Sequence, residues 1–177
     1  MIHLVTGGAR SGKSRYAEEL AYQDDAVTYV ATATAGDEEM AERIGRHQKD
    51  RPDHWALIEE PFELSAVIRD ARNQTLVIDC LTLYLSNWLC DTERDANFES
   101  EKSSLISALK TRSPDTHIVI VTNEVGSGIV PMGQLSRRFS DEAGWLNQAI
   151  ARVADDVTLV VSGCPLPLKR QGQLVHG

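Results

Sequence analysis

Residues 2–14 read IHLVTGGARSGKS, and this stretch decides the fold of the chain. The apolar run at 2–6 is typical of a buried strand, and a helix is predicted over about 14–22. The eight residues after the strand fit G-x-x-x-x-G-K-[ST] in full, which in this strand–loop–helix context predicts a phosphate-binding loop. The alternative, a glycine-rich turn that merely joins strand to helix, is disfavoured by the complete motif. The loop residues are Gly7, Gly8, Ala9, Arg10, Ser11, Gly12, Lys13 and Ser14.

The motif also predicts how a bound triphosphate would be neutralised. Lys13 is expected to reach the β- and γ-phosphates, and Ser14 to bind Mg²⁺. A second Mg²⁺ contact, through water, is expected from Asp79, because residues 76–79 read LVID, an apolar strand that ends in an acid. Four residues are weak evidence alone, and the alternative is that Asp79 caps the following helix. The phosphate-binding loop favours the metal role.

Short apolar runs alternate with helical patterns along the rest of the chain, which is the βαβ signature of an α/β fold. A mostly parallel central sheet with helices on both faces is therefore predicted. We expect one catalytic domain over 1–177, because this length is typical of a single domain. Residues 123–139 are predicted to be irregular, and the tail at 165–177 to be a peripheral surface segment. The further predicted strands are 26–32, 55–59, 74–79, 117–122 and 157–162, and the further helices are 37–49, 62–72, 81–90, a segment that ends near 112, and 140–154.

The composition limits the partners of the chain. Its 177 residues include 18 Lys and Arg against 26 Asp and Glu, a net charge of −8, which argues against a nucleic-acid partner. Basic side chains nevertheless concentrate at 9–15 and 43–51, which indicates that these two segments meet anions. The three cysteines form no C-x-x-C pair, and neither a signal peptide nor a membrane-spanning run is recognisable. A reduced, cytoplasmic protein without a membrane span is expected.

The second basic segment contains a candidate catalytic histidine. His47 stands in RIGRHQKDR at 43–51, among four basic residues and one acid. On a predicted helix, Met40, Ile44 and His47 share one face, so the plainest interpretation is a histidine at the edge of an apolar stripe. If anions visit, His47 either binds phosphate as a cation or attacks phosphorus as a neutral nucleophile. Neighbouring cations favour the neutral form, but the residues alone leave these two roles about even.

Five stretches together resemble one enzyme family. They are GGARSGKS at 7–14, DEEMAERIGRHQKDRPDHW at 37–55, VIDCLT at 77–82, TNEVGSGIVP at 122–131 and WLNQ at 145–148. In this order they are similar to the bifunctional adenosylcobinamide kinase / adenosylcobinamide-phosphate guanylyltransferases. The resemblance implies a P-loop NTPase of the RecA-like type. It also implies two reactions of cobalamin biosynthesis: phosphorylation of adenosylcobinamide with ATP or GTP, then transfer of GMP from GTP to that phosphate, which gives adenosylcobinamide-GDP and pyrophosphate.

The resemblance further implies which residues act. His47 would be the nucleophile that carries GMP as a phosphoramidate. Glu59 would contact guanine, since a carboxylate can accept hydrogen bonds from guanine N1–H and N2–H₂, although on sequence alone a surface acid beside Glu60 is equally acceptable. Because the two reactions attack different phosphorus atoms, residues 34–37 are a candidate hinge. The other implied nucleotide contacts are Ala31, Thr32, Ala33, Gln48, Lys49, Asp50, Arg51 and Asp79.

The same resemblance implies Mg²⁺ as cofactor, GTP and ATP as substrates, adenosylcobinamide as acceptor and a homotrimer. Three alternatives stay open: a guanylyltransferase that has lost the kinase half, a P-loop kinase of another pathway in which His47 only binds phosphate, and a nucleotide-gated regulator. The basic segment at 43–51 favours the bifunctional enzyme over a switch, because a plain switch needs no second phosphate site. The sequence identifies neither the corrinoid-contacting residues nor a preference for ATP or GTP in the kinase step.

Overall fold

A computed structural model describes residues 1–34, 52 and 54–175. These residues form one eight-stranded sheet in the order β3-β2-β4-β5-β1-β6-β7-β8. The neighbours from β3 to β6 run parallel, and β7 and β8 are antiparallel additions at one edge. The strands are β1 (Ile2–Gly7), β2 (Val27–Ala31), β3 (Ala56–Glu59), β4 (Thr75–Asp79), β5 (His117–Val121), β6 (Asp156–Val161), β7 (Cys164–Arg170) and β8 (Gln173–Leu174).

Helices cover both faces of this sheet, because successive side chains of a strand point to opposite faces. On one face, Leu4 and Ile78 belong to a large buried cluster with residues of four helices. On the other face, Val5 and Val77 pack in a smaller cluster with the first helix. The helices are α1 (Lys13–Ala21), α2 (Leu64–Asp70), α3 (Leu81–Cys90), α4 (Phe98–Thr111) and α5 (Gln134–Val153), with a 3₁₀ turn at Asp95–Asn97 before α4.

The register of the parallel strands brings their carboxyl ends to one edge of the sheet. Glu59 lies opposite Ala31, Ala31 opposite Asp79, and Asp79 opposite Val121. Val121 in turn lies opposite Val5, two residues before the end of β1. Segments that are far apart in sequence therefore follow one another along a single edge, which we call the carboxyl edge.

The predicted α/β architecture is confirmed, with one correction and one addition in the last third of the chain. Helix α5 begins at Gln134, six residues before the predicted start, so part of the segment expected to be irregular is helical. The tail at 165–177 was expected to be a peripheral surface segment with little core, and in the structure it forms β7 and β8 at the edge of the sheet. Most of its side chains are exposed, so it adds backbone hydrogen bonds rather than core. The predicted helix at 37–49 lies outside the described residues.

None of the helices in the described part of the chain combines the length and the apolar character that a membrane crossing requires.

Candidate active site

The loop between β1 and α1 fits its surroundings so closely that two of its glycines are required. A Cβ on Gly7 would lie 2.5 Å from the carbonyl oxygen of Val160 and 2.7 Å from Ser11 Oγ, so no side chain fits there. Gly12 has φ of +93°, a conformation that L side chains rarely adopt. Gly163, in the turn after β6, donates its N–H to the carbonyl oxygen of Ser11 at 2.8 Å. The loop is therefore supported from a neighbouring strand as well as by its own sequence.

Lys13 lies folded back over this loop. Its Nζ donates to the carbonyl oxygen of Gly8 at 2.9 Å, and only 8% of the residue is exposed. Desolvation lowers the pKa of Lys13 from its ordinary value, while the neighbouring Cys80 and Asp79 oppose that shift. A buried ammonium group of this kind gains strongly from an anion, because screening by water is weak there. Gly8, Ala9 and Arg10 lie exposed on the open side of the same loop.

Asp79 ends β4, two strands from the loop, with β5 between them. Tyr29 Oη donates to Asp79 Oδ2 at 2.8 Å, which fixes the orientation of the carboxylate. Burial raises the pKa of the adjoining Cys80 thiol to about 12, so this thiol stays protonated at neutral pH. The structure thus brings the loop and Asp79 to one edge, as the two motifs predicted.

The oxygen donors at this edge fit a magnesium ion bound together with phosphates. Ser14, at the start of α1, contributes a hydroxyl, and Asp79 a carboxylate, the hard oxygen ligands that Mg²⁺ prefers. Within the described ranges no group of three or more His, Cys, Asp or Glu side chains is arranged to hold a metal alone. Such a group is not needed, because Mg²⁺ in nucleotide sites takes one or two protein ligands and the rest from phosphate and water.

The far end of the carboxyl edge carries the predicted nucleoside contacts Ala31, Thr32, Ala33 and Glu59. Glu59 is exposed at the end of β3, and the N–H of the next residue, Glu60, donates to the carbonyl oxygen of Ala31 at 2.9 Å. Four strand spacings separate β3 from β1, about 19 Å at 4.8 Å each. Glu59 and the phosphate-binding loop are therefore on one edge but do not touch.

A side chain of α3 is hydrogen-bonded to the segment that follows β2. Asn87 Nδ2 donates to the carbonyl oxygen of Thr32 at 2.7 Å and to that of Pro61 at 3.1 Å. Thr32 Oγ1 donates to the carbonyl oxygen of Cys80 at 2.7 Å and accepts the Cys80 N–H at 2.8 Å. These contacts join β2, β3 and β4 at their carboxyl ends. The remaining predicted residues, His47, Gln48, Lys49, Asp50 and Arg51, lie outside the described residues.

Glu124 belongs to none of the motifs that predict a site residue, although it lies in TNEVGSGIVP at 122–131. Its N–H donates to the carbonyl oxygen of Gly7 at 3.1 Å, and its Oε1 accepts the hydroxyl of Thr6 at 2.9 Å. Two acidic side chains thus lie near the loop at adjacent strands: Asp79 is the last residue of β4, and Glu124 follows the end of β5. The available signal was the polar sequence TNE directly after a buried strand, HIVIV, at the edge where parallel-sheet proteins bind ligands.

Residues 3–168 match the family model described as CobU, cobinamide kinase / cobinamide phosphate guanyltransferase. The chain belongs to this family. It is 49% identical over 173 residues to the bifunctional adenosylcobalamin biosynthesis protein CobP of Pseudomonas aeruginosa, covering 96% of this chain and 98% of that protein. It is 42% identical over 183 residues to the bifunctional adenosylcobalamin biosynthesis protein CobU of Escherichia coli K12, covering 96% and 100%. The family expected from the five sequence stretches is confirmed.

Solved structures support the fold. The crystal structure of the RadB recombinase aligns with TM-score 0.50 at 15% identity, over 89% of this chain and 73% of that one. A Pyrococcus horikoshii OT3 protein, studied as Project ID PH0250, aligns with TM-score 0.53 at 9% identity, over 98% and 91%. These likenesses concern the fold alone, and with the sheet order above they confirm the predicted RecA-like P-loop architecture.

Proposed function

We propose that this chain phosphorylates adenosylcobinamide with ATP or GTP and then transfers GMP from GTP to adenosylcobinamide phosphate, through a guanylyl group on His47. The products of the second reaction are adenosylcobinamide-GDP and pyrophosphate. The observation that carries the proposal is the formed phosphate-binding loop with buried Lys13 and nearby Asp79, in a chain of the cobinamide kinase / guanylyltransferase family.

The loop would bind the triphosphate in both reactions. Exposed Gly8, Ala9 and Arg10 present the open side of the loop to phosphate oxygens, and the N-terminus of α1 adds positive potential. Lys13 Nζ, now bonded to the carbonyl oxygen of Gly8, would turn to the β- and γ-phosphates. Mg²⁺, held by Ser14 and through water by Asp79, would supply further charge neutralisation. Catalysis of this kind rests mainly on positioning and electrostatics.

The guanylyl step needs a nucleophile other than the corrinoid. His47 is the candidate, because neutral imidazole can attack phosphorus and the basic segment at 43–51 can balance the phosphate charge. A nitrogen of His47 would form a bond to the α-phosphorus of GTP while the bond to the bridging oxygen breaks, and pyrophosphate would leave. An oxygen of adenosylcobinamide phosphate would then displace His47 from the same phosphorus. Gln48, Lys49, Asp50 and Arg51 would contact the nucleotide beside it.

Guanine recognition is assigned to the far end of the carboxyl edge. The exposed carboxylate of Glu59 can accept the hydrogen bonds that guanine N1–H and N2–H₂ offer, whereas adenine offers no such pair. Ala31, Thr32 and Ala33, joined to α3 by Asn87, would line the nucleoside beside it. The contact between Glu60 and Ala31 sets Glu59 next to this segment.

Both reactions would share one site in a single domain spanning 1–177. We further propose that the enzyme acts in the cytoplasm as a homotrimer, with Mg²⁺ as its cofactor. A change at residues 34–37 would select which phosphorus is attacked, since the kinase step needs the corrinoid hydroxyl in line with the γ-phosphorus and the guanylyl step needs His47 in line with the α-phosphorus.

The test uses GTP labelled at the α-phosphate or at the γ-phosphate. With the α label and Mg²⁺ alone, the wild-type protein should retain label in an adduct that is acid-labile and alkali-stable. With the γ label and adenosylcobinamide, the label should appear in the corrinoid product. His47→Ala should lose the α adduct, and His54→Ala, an exposed histidine seven positions on, should keep it. Full α labelling of His47→Ala would overturn the nucleophile, and an α adduct without γ transfer would indicate a guanylyltransferase that has lost the kinase half.

A further inference from the structure

We propose that Glu124 is the proton acceptor of the kinase step, the group that takes the proton of the cobinamide hydroxyl as it attacks the γ-phosphorus. This inference rests on the kinase half of the proposed function and assigns it a residue that the motifs leave without a role. Glu124 follows β5, the strand that lies between the phosphate-binding loop and Asp79.

Two hydrogen bonds attach Glu124 to the residues that begin the phosphate-binding loop. The N–H of Glu124 donates to the carbonyl oxygen of Gly7 at 3.1 Å. The hydroxyl of Thr6 donates to Glu124 Oε1 at 2.9 Å and so restrains the carboxylate. Lys13 Nζ lies at the same end of the loop, where it donates to the carbonyl oxygen of Gly8. Since Lys13 is the residue that meets the β- and γ-phosphates, Glu124 stands beside the end of the triphosphate that the kinase step transfers.

A carboxylate beside a polyphosphate is costly, because the two repel one another. Glu124 is nevertheless held there by its side chain and its backbone, which points to a chemical use. Asp79 is a poorer proton acceptor for this purpose, because it is the candidate contact for Mg²⁺ and the metal would engage its carboxylate. Glu59 is too far away to take this proton, because it lies on β3, four strand spacings from β1.

Glu124 is also open to a large acceptor. The residue is exposed, and the chain continues from it into Val125, which lines a pocket of about 260 Å³. Much of that lining is apolar, with Ile129 and Val130 exposed, and Arg137 and Asp141 add polar groups. An amphipathic macrocycle can rest part of its surface against such a wall while its hydroxyl reaches the carboxylate. The segment that begins at Glu124 would thus both contact the cobinamide and supply the carboxylate that takes its proton.

The proton balance restricts this role to one of the two reactions. In the kinase step the hydroxyl oxygen bonds to the γ-phosphorus, the bond from that phosphorus to the bridging oxygen breaks, the nucleoside diphosphate leaves with the electron pair, and the hydroxyl proton passes to Glu124. The guanylyl step uses a nitrogen lone pair and then a phosphate oxygen, and neither nucleophile is an alcohol. Glu124 should therefore matter for phosphorylation and not for GMP transfer.

Glu124→Gln tests this directly, because the amide keeps the shape and can still accept the Thr6 hydroxyl. Both half-reactions are measured on the same preparation: γ-phosphate transfer to adenosylcobinamide, and GMP transfer from GTP to adenosylcobinamide phosphate supplied ready-made. We expect phosphorylation to fall by about 10²- to 10⁴-fold, the usual contribution of general acid–base catalysis, while GMP transfer keeps its rate. Glu93→Gln, an exposed acid in the loop before α4, is the matched control and should leave both rates unchanged. In Glu124→Ala, added formate should restore part of the phosphorylation.

Two results would overturn the role of Glu124. An equal loss of both reactions in Glu124→Gln would indicate that the residue only supports the loop or the metal. An unchanged phosphorylation rate would remove it from the chemistry altogether. The wild-type rates report separately on the proposed function: wild-type protein that forms the GMP adduct but never phosphorylates adenosylcobinamide would overturn the kinase half and the role of Glu124 with it.

Discussion

The two ends of the carboxyl edge are built differently. At the β1 end, the phosphate-binding loop is confined by the carbonyl oxygen of Val160, the N–H of Gly163 and its own buried Lys13. At the β3 end, Glu59 is an exposed acid on a strand of four residues, all of which are exposed. The site therefore has a confined end, the phosphate end, and an exposed end, the open end. In the proposed function the phosphate end would bind any triphosphate, and the open end would distinguish guanine from adenine.

The largest effect is expected at the phosphate end. Lys13→Ala removes the one buried ammonium group of the loop, so both nucleotide reactions should fall by at least about 10³-fold, more than the loss of one neutral donor costs in comparable sites. Steady-state rates of phosphorylation and of GMP transfer measure this. Lys110→Ala, an exposed lysine in the last turn of α4, is the control and should change neither rate. A variant that loses only one reaction would mean that the triphosphate is not held in one place.

At the open end, Glu59→Gln should change selectivity rather than overall binding. Glutamine replaces a carboxylate oxygen with an amide nitrogen that donates, so it faces the donors of guanine with a donor of its own. Losing a hydrogen bond to a charged group costs about 1.5–3 kcal/mol, or about 10- to 100-fold in the Kd of GTP. Calorimetry should show this loss for GTP and none for ATP, and Glu63→Gln should bind both as the wild type does. Equal weakening for ATP and GTP would place guanine recognition elsewhere.

Gly7→Ala tests how tightly the phosphate end is confined. The new Cβ would meet the carbonyl oxygen of Val160 at 2.5 Å, so either the loop or β6 must shift. Overpacking of this kind costs about 1–3 kcal/mol in the free energy of unfolding, and GTP binding should weaken as the loop moves. Gly144→Ala, where the added Cβ meets nothing within 4 Å, is the matched control and should not destabilise the protein in denaturant titration. Wild-type stability in Gly7→Ala would show that the loop is not confined.

The smallest effect is expected where α3 supports the open end. Asn87→Ala leaves the carbonyl oxygens of Thr32 and Pro61 without their side-chain donor. We expect a loss of about 1 kcal/mol in the free energy of unfolding, together with a modest rise in the Kd of GTP. Asn97→Ala, at the start of α4 with no capping side-chain hydrogen bond, should be neutral. A change in Kd without any change in stability would mean that Asn87 contacts the nucleotide itself.

Site residues that belong to a local motif could be predicted from the sequence, and those that depend on distant residues could not. The phosphate end is specified by eight consecutive residues, so Lys13 and its neighbours were located without a structure. Asp79 was located because an apolar strand that ends in an acid is itself a local pattern. Glu124 was not identified from the sequence, because its proposed role depends on Thr6 and Gly7. These residues are more than 100 positions away and become neighbours of Glu124 only when β1 and β5 pair.

The sequence is least informative about structure in the last third of the chain. The tail was predicted only as a peripheral surface segment, and its prolines give no local strand signal, since proline cannot donate to a sheet ladder. In the structure β7 runs antiparallel beside β6, with Pro165 opposite Val160. Helix α5 was predicted six residues too late because the residues at 134–138 are exposed and show no apolar stripe. Gly126, Gly128 and Pro131 just before them indicated a longer irregular segment.

The mass of the intact protein after incubation with GTP and Mg²⁺ shows whether His47 takes GMP from a nucleotide held at the phosphate end. Wild-type protein should gain the mass of one guanylyl group, and His47→Ala should gain nothing. Wild-type protein whose mass is unchanged would overturn the guanylyl intermediate, and His47→Ala protein that still gains a guanylyl group would overturn His47 as its carrier.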